Sequence, residues 1–487
     1  MFVGRSSQLN SLEGLFLSEK FKLAIVTGAR STGKSELLRE FAKGKKCLYF
    51  SAFETTGEQE LALLNSYVNR LLQAGDANNA GGANNADDAN ATQTTTPSFL
   101  SLLDTIIEES KKERLLFVID DYPAFAKSDA SFEKLLLSYL EKNLKEANIM
   151  LVIAGNQAAY MNRHCLGEKT PLGKLSDITI NVDSINYLEA IQFCVTSDDY
   201  TKAVLYGVSG GIPAILARYK ENETYRDFII REILSPDAKY FNLTQEMMSF
   251  DLRELSYYNR LLTALAAGHH RVLELSAEVD KPKDIVVPYL NTLISLGMVE
   301  RTNAITEETN RKKTRYLISN SFVEFWFKFV APHLDMVMMG EAEKLYDEIV
   351  EPNLGEFMDT IFPKMCKDHF ERRNAAGTLP FTITRVGRWW QNAGENEKAV
   401  DFDLLAVNDN DENFVTVYCK CIFGKEPVEI VTLKDLIGNT VILKKGADVY
   451  YMIFSAADFS ENTKTVASTI KNIVLVSLED LYKGITV

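Results

Sequence analysis

The most constraining feature of the chain is residues 28–35, which read Gly-Ala-Arg-Ser-Thr-Gly-Lys-Ser. An apolar run at residues 23–27 precedes this stretch, and a helix-forming run at residues 36–41 follows it. Glycines at its first and sixth positions permit a tight turn in which successive backbone N–H groups point inward, and the following helix adds the positive end of its dipole. A strand, a glycine-containing loop and a helix in this order predict a phosphate-binding loop.

Each part of the loop has an expected role. The backbone of residues 28–33 would surround the phosphates, Lys34 would reach the β- and γ-phosphates, and Ser35 would hold Mg²⁺. ATP and Mg²⁺ are therefore the predicted cofactors. The predicted binding residues of the loop are Gly28, Ala29, Arg30, Ser31, Thr32, Gly33, Lys34 and Ser35.

Two adjacent carboxylates follow the apolar run at residues 115–119. A buried parallel strand would carry them to the sheet edge where the loop lies. There Asp120 would bind Mg²⁺ through water, and Asp121 would orient or deprotonate the attacking water. Asn156 ends a further apolar strand and has two interpretations: it hydrogen-bonds the γ-phosphate or the attacking water, or it is a turn residue after Gly155.

Length and charge limit the possible classes of protein. A chain of 487 residues is too long for one hydrophobic core, so two to four domains are expected. The net charge of −14 argues against bulk coating of nucleic acid, although a local basic surface remains compatible with it. Six cysteines without C-x-x-C spacing suit a reducing compartment and give no zinc site. Without a signal-like start or a long apolar window, we expect a cytoplasmic protein with no membrane partner.

The fold class predicted for residues 1–225 is an α/β domain with a phosphate-binding loop. Strands and helices alternate over residues 1–185, which implies a parallel sheet with helices on both faces. Helices from residue 186 onward would form a helical lid. Residues 74–96 consist almost entirely of Asn, Ala, Gly, Asp and Thr, so a disordered insertion is predicted there.

Residues 226–330 are predicted to form a winged helix-turn-helix, because three helical patterns precede two short strands. Acidic and basic residues nearly balance in this region. The predicted wing carries the basic run 311–313 and Arg315, which could grip DNA phosphates. The alternative to DNA binding is that the charged wing is only exposed to solvent and that the module packs between domains.

Residues 350–487 are predicted to form a second α/β domain, arranged like the core of restriction endonucleases. In that core an Asp on one strand and an E-x-K motif on the next hold a metal and activate water. Asp403 and Lys420 fit this arrangement, but Tyr418 stands where the motif needs Glu, and Asp359 would be an outer acidic residue. Loss of one core carboxylate should weaken Mg²⁺ binding severely, so nuclease activity is not expected. The neighbouring Trp389 and Trp390 are predicted to pack in the core.

Residues 2–5, 28–35, 116–121 and 210–213, with the strand that ends at Asn156, resemble in this order the AAA+/STAND-type archaeal ATPase family. Many members carry a winged helix and a C-terminal domain of unknown function called DUF234. The aromatic segment 320–330 is similar to the start of that domain. The resemblance implies that residues near the adenosine are Val3, Gly4, Arg5 and Pro213.

The sequence departs from that family at Lys174. The family often has an arginine in a Pro-Leu-x-Gly-Arg stretch before the last strand, as a candidate arginine finger or sensor. Here Pro171 opens the corresponding stretch and Lys174 replaces the arginine. A lysine is a point charge rather than a planar fork, which argues against fast hydrolysis.

Three functions remain open from the sequence. The first is an ATP-binding and ATP-hydrolysing switch that acts on a winged helix and a degenerate nuclease-like domain. The second is an ATP-dependent DNA-processing nuclease, and the third is a scaffold that binds ATP without hydrolysing it. DNA and a second copy of the chain are candidate partners beside ATP.

Overall fold

The structure is a computed structural model that describes residues 2–18, 20–77, 97–143, 147–249, 252, 254–307, 314–391, 399–410, 414–444 and 446–483. The chain folds into two compact units, Met1–Ile185 with Met247–Leu252, and Asn186–Glu246 with Arg253–Val487. By this division the predicted lid helices belong to the second unit. The domain limits 1–225, 226–330 and 350–487 remain predictions.

A parallel sheet forms the centre of the first unit. Its described strands run in the order β2-β3-β4-β1-β5. Successive residues of the central strands enter two separate apolar clusters, because helices cover both faces. This confirms the predicted α/β class. The strands are β1 (Lys22–Thr27), β2 (Cys47–Ser51), β3 (Leu115–Asp120), β4 (Ile149–Gly155) and β5 (Ile178–Asn181). The helices are α1 (Ser6–Phe16), α2 (Lys34–Ala42), α3 (Gly57–Ala77), α4 (Phe99–Ser110), α5 (Tyr122–Ser128), α6 (Phe132–Asn143), α7 (Ala158–His164) and α8 (Pro171–Leu175).

Helix α3 corrects the predicted start of the insertion. The helix continues through residues 74–77, which the composition had assigned to the disordered segment. Leu71 and Leu72 pack against the core of the first unit. Adding residues to an existing helix costs far less than starting one, so a few polar residues extend it. The rest of the predicted insertion, residues 78–96, lies outside the described residues.

The second unit begins with short helices: α9 (Tyr187–Ala190), α10 (Asp199–Ser209), α11 (Pro213–Leu216), α12 (Tyr225–Ile229) and α13 (Leu243–Ser249), the last of which crosses the division between the units. The elements predicted as a winged helix follow as α14 (Leu255–Ala266), α15 (Val272–Glu278), α16 (Lys283–Ser295) and the antiparallel pair β6 (Val299–Thr302) and β7 (Arg315–Ile318). Then come α17 (Ser321–Phe325), α18 (Leu334–Met338), α19 (Ala342–Leu345) and the long α20 (Glu351–Ala375). Within the described ranges, no helix combines the length and apolarity needed to cross a membrane.

A mixed sheet forms the C-terminal part of the second unit, in the order β12-β11-β10-β9-β8. The pairs β10–β11 and β11–β12 are parallel, and β8–β9 and β9–β10 are antiparallel. Trp389 and Trp390 are buried in its core, as predicted. The elements are β8 (Arg385–Gln391), β9 (Val400–Asn408), β10 (Val415–Ile422), α21 (Ile430–Gly438), β11 (Asp448–Ser455), α22 (Glu461–Thr469), β12 (Ile473–Ser477) and α23 (Leu478–Tyr482).

Residues 305 and 306, which follow β6, hydrogen-bond to the edge strand β8. The backbone N–H of Ile305 donates to the carbonyl of Arg388 at 3.1 Å, and the Arg385 guanidinium donates to the carbonyl of Ile305 at 2.8 Å. The Trp389 indole donates to the Thr306 hydroxyl at 2.8 Å. These bonds cover an edge that would otherwise present unpaired backbone groups.

One buried histidine makes the stability of the second unit depend on pH. Burial, with Arg372 and Arg373 beside it, lowers the pKa of His369 to about 4. The unfolded chain therefore takes up a proton at pH values where the folded chain does not, so stability present above about pH 6.5 is lost as pH falls toward 4. Between pH 7 and pH 5 we expect a loss on the order of 1 kcal/mol in the free energy of unfolding, measured by denaturant titration. The loss should shrink in His369→Gln and persist in His269→Gln, whose ring is more exposed.

Candidate functional site

The loop predicted to bind phosphate joins the end of β1 to the start of α2. Gly28 has φ 148°, and a Cβ atom added there would lie 2.3 Å from the carbonyl oxygen of Val182. Gly33 has φ 95°, so both positions favour glycine, the first also for lack of space. The Thr32 hydroxyl donates to the carbonyl of Ala29 at 2.9 Å and closes the turn.

Lys34 is folded into the turn that precedes it. Its ammonium group donates to the carbonyls of Gly28 at 2.8 Å and Ala29 at 2.6 Å. Burial lowers the pKa of Lys34 to about 8, while the charges of Asp120 and Asp121 act in the opposite direction. The ammonium group is therefore held inside the loop by two backbone carbonyls, which satisfy its charge in a buried position.

Ser35 and Asp120 meet at the carboxyl edge of the sheet. The Ser35 hydroxyl donates to Asp120 Oδ2 at 2.7 Å. The same carboxylate oxygen accepts the hydroxyl of Tyr49 at 2.7 Å, and Asp120 Oδ1 accepts the backbone N–H of Asp121 at 3.1 Å. A serine hydroxyl beside a carboxylate, at the first turn after a phosphate loop, is a donor set that suits Mg²⁺.

Asp121 directly precedes α5 as its N-cap and has the left-handed conformation, with φ 58° and ψ 43°. Its Oδ1 atom is buried and has no hydrogen-bond partner among the described residues. Burial first, and then the charge of Asp120, raise the pKa of Asp121. A carboxylate whose basicity is increased in this way is suited to accept a proton from water.

Asn156 and Lys174 occupy different environments. Asn156 follows β4 directly and is half-buried. Strand β4 lies between β1, which leads into the loop, and β3, which ends in Asp120. Asn156, at the carboxyl end of β4, is therefore placed between the ends of these two strands. Lys174 is exposed on the short helix α8.

The N-terminal segment is tied to the loop by Arg5. Its guanidinium donates to the carbonyl of Thr32 at 3.1 Å and to that of Asp183. Arg5 and Val3 are buried, and both Gly4 and Arg5 have positive φ, at 68° and 66°. In this arrangement Arg5 braces the loop through backbone carbonyls.

Pro213 is the first residue of α11 and lies in the second unit, after Gly210 and Gly211 with φ 61° and 64°. The Asn320 side chain donates to the carbonyl of Gly210 at 3.0 Å. A Cβ atom at Gly210 would lie 2.2 Å from Asn320 Oδ1. The turn before Pro213 is thus fixed by the start of the aromatic segment.

Two residues of the first site were not found from the sequence. Tyr49 reaches Asp120 from the neighbouring strand β2. Glu60 is fully buried on α3; its Oε1 accepts the N–H of Phe53 at 2.9 Å, and its Oε2 has no partner within the part of the chain that the structure describes. Burial first, and then the charge of Asp121, raise the pKa of Glu60 above its usual value, against the Phe53 bond. Acidic residues are common in the first turn of helices, so the sequence alone does not indicate that Glu60 is buried.

The residues predicted to resemble a nuclease site lie in the second unit. Asp403 Oδ2 accepts the ammonium of Lys420 at 3.0 Å and the N–H of Cys421 at 2.9 Å. Tyr418 is buried, and its hydroxyl donates to the carbonyl of Val441. Burial and the charge of Asp403 raise the pKa of Asp359. Across the described residues, no cluster of three His, Cys, Asp or Glu side chains could hold a metal ion.

Two parts of the chain match known protein families. Residues 2–218 match a family described as an ATPase domain predominantly from Archaea. These residues are similar to archaeal ATPase domains. Residues 326–425 match DUF234, described as proteins of unknown function from Archaea and bacteria. Together these matches confirm the resemblance predicted from the sequence.

One relative and two solved structures illustrate what the chain is similar to. An uncharacterized protein of Methanocaldococcus jannaschii is 24% identical over 479 residues, which is 94% of this chain and 100% of that protein. A Walker-type ATPase of Pyrococcus abyssi has 14% identity and a TM-score of 0.50, covering 67% of this chain and 96% of that one. The ORC2 protein of Aeropyrum pernix, in ADPNP and ADP complexes, has 13% identity and a TM-score of 0.43, covering 69% and 95%. The Pyrococcus structure is similar in fold.

Proposed function

We propose that the protein is an ATP-hydrolysing molecular switch of the AAA+/STAND type. The observation that carries the proposal is the meeting of Lys34, Ser35, Asp120 and Asp121 at one edge of the sheet, after strands β1 and β3. Bound Mg²⁺ would neutralise phosphate charge. Lys34 would bind the β- and γ-phosphates, and the loop backbone would orient them.

The proposed hydrolysis needs one group that takes a proton from water. Asp121 has this role, because its Oδ1 is free of hydrogen bonds among the described residues and its pKa is raised by burial. Asn156 orients the same water from the end of β4. The exposed Lys174 replaces the planar arginine of the family, so we propose slow turnover. Val3, Gly4, Arg5 and Pro213 are proposed to lie near the adenosine.

Contacts inside the second unit support a relay from the helices after residue 186 to the DUF234 region. The rings of Tyr200 on α10 and Phe423 lie 4.8 Å apart, and Phe423 also contacts Phe362 on α20 at 5.5 Å. The Arg226 guanidinium donates two bonds to Asp347, both 2.9 Å. A shift of the helices on nucleotide binding would therefore be passed to α20.

The proposed relay predicts that Phe423→Leu changes the response of α20 to nucleotide but not the response of α10. Leucine keeps an apolar side chain and removes the ring contacts of Phe423. We expect ATP·Mg²⁺ to change hydrogen exchange in α10 in both proteins, and in α20 only in the wild type. Phe381→Leu is the control, since Phe381 contacts Phe370 and Tyr450 and no ring of residues 186–246. If ATP·Mg²⁺ changes hydrogen exchange in α20 of Phe423→Leu as much as in the wild type, the proposed relay is wrong.

We propose that the winged helix packs between parts of the second unit rather than reading DNA. Ile305 and Thr306 bind to β8, and Arg315 pairs with Asp401 at 2.9 Å and lies over the Trp390 ring. These contacts leave Arg315 little freedom to grip phosphates. The basic run 311–313 lies outside the described residues.

ATP binding and turnover by the purified chain, measured with and without Mg²⁺ and with and without DNA, test the function. Saturable Mg²⁺-dependent binding with slow turnover that DNA leaves unchanged is expected. Absence of binding would overturn the proposal, and binding without turnover would favour the scaffold. Strong stimulation by DNA would restore the winged helix as a DNA reader.

A second candidate, a DNA-processing nuclease, rests on Asp403 and Lys420 at 3.0 Å. Tyr418 in the position of the motif glutamate weighs against it. Divalent-metal-dependent DNA cleavage that disappears in Asp403→Ala would support this function over the switch.

A further inference from the structure

Tyr49 reaches the magnesium-binding end of the site from the edge strand of the sheet. In the parallel pairing of β2 with β3, Tyr49 stands opposite Val118 and Ser51 opposite Asp120. The Tyr49 side chain therefore runs forward along the strand direction to meet the carboxylate two residues further on. Its hydroxyl donates to Asp120 Oδ2 at 2.7 Å.

Asp120 Oδ2 also accepts a hydrogen bond from the Ser35 hydroxyl, which comes from the side of the sheet order opposite to β2. Ser35 Oγ lies 2.7 Å from Asp120 Oδ2 and is the donor of that bond. Because the serine hydrogen points to the carboxylate, the oxygen lone pairs of Ser35 are left for a cation. Asp120 Oδ1 is held by the N–H of Asp121. Three donors thus determine the rotation of one carboxylate.

We propose that Tyr49 is a positioning residue that sets the Mg²⁺ affinity of the ATPase domain by orienting Asp120. The inference rests on the proposed function. Groups that bind to a metal-site carboxylate orient it and tune its strength as a ligand. A phenylalanine would fill the same place in β2, so the hydroxyl contributes only the bond to Asp120.

The alternative is that the hydroxyl only satisfies the hydrogen bonding of a buried carboxylate, Asp120, and supports the fold. The two roles differ in what Tyr49→Phe changes. A supporting role would alter thermal stability and nucleotide affinity under all conditions. A positioning role would alter the dependence on Mg²⁺ and leave nucleotide affinity in the absence of Mg²⁺ unchanged.

The test uses the full chain and a fluorescent ATP analogue, with binding measured over a range of Mg²⁺ concentrations and in excess chelator. For Tyr49→Phe we expect the Mg²⁺ concentration that gives half of the maximal binding enhancement to rise about 10-fold. Affinity in chelator and the melting temperature should match those of the wild type. Tyr67→Phe is the matched control, because Tyr67 lies in the same unit and packs on Phe50 without contacting Asp120.

The outcomes separate this inference from the proposed function. If wild type and Tyr49→Phe both bind the analogue with the same Mg²⁺ dependence, the positioning role is wrong and the proposed function stands. A loss of affinity in chelator as large as that in Mg²⁺ would show a structural role and also overturn the inference. A wild type that fails to bind the analogue would overturn both.

Discussion

Replacing Lys34 with alanine is expected to reduce ATP affinity about 10- to 100-fold, because a charge-assisted bond to phosphate is lost. Turnover should fall about 100- to 1000-fold, since the same cation stabilises charge that develops in the transition state. Lys34 is buried in the loop and bound to Gly28 and Ala29, so no neighbouring lysine can take its place without rebuilding the turn. Equilibrium binding of labelled ATP and phosphate release measure the two effects.

The control for Lys34→Ala is Lys43→Ala at the other end of α2. Lys43 is exposed and pairs with Glu40, so its removal changes net charge equally without reaching the loop. Unchanged ATP affinity in Lys34→Ala, with a normal melting temperature, would contradict the placement of phosphate at this loop.

The second large effect is expected for Asp121→Asn. An amide cannot accept the proton of water, so turnover should fall about 100- to 10,000-fold. Binding of ATP with Mg²⁺ should persist, because Ser35 and Asp120 are unchanged and asparagine tolerates the left-handed backbone that Asp121 adopts. Single-turnover hydrolysis and equilibrium binding distinguish the two steps.

Asp129→Asn is the matched control, since Asp129 directly follows the short helix α5 and Asp121 directly precedes it. Asp129 is exposed, and its carboxylate accepts the N–H of the nearby Ser131. Wild-type turnover in Asp121→Asn would show that another group activates the water, and loss of ATP binding would show that Asp121 acts on the fold instead.

The three short signals of the ATPase domain could be read from the sequence because each is local. Residues 28–35 carry their own turn chemistry, and the apolar run before Asp120 and Asp121 specifies a buried strand with acidic residues at its end. Alternation of strands and helices implied a parallel sheet, and parallel strands bring their carboxyl ends to one edge. These features are sufficient to bring Ser35 and Asp120 to the same edge of the sheet, where they form a hydrogen bond.

Side chains that reach the site from elsewhere could not be read in this way. Arg5 illustrates the limit: the family resemblance implies a place near the adenosine but names no partner, and the structure shows the guanidinium bonded to the carbonyls of Thr32 and Asp183. Thr32 and Asp183 are 27 and 178 positions away from Arg5 in the sequence. The spacing of residues within one strand or helix carries no information about such distances.

The wing of the second unit shows the same limit. Its polar and basic composition allowed both phosphate binding and interdomain packing. The bonds of Ile305 to β8 and of Arg315 to Asp401 favour packing, and they depend on an edge strand that begins at Arg385.

The sequence by itself determined the phosphate loop, the acidic pair and the α/β class of the domain, because backbone conformation and strand burial are encoded by neighbouring residues. Only the tertiary structure decided that Tyr49 and Ser35 donate to the same oxygen of Asp120, and that Glu60 is buried on α3. These contacts require β2 to pair with β3 and α3 to pack on the sheet. They form only when segments far apart in the chain are brought together by burial of their apolar faces.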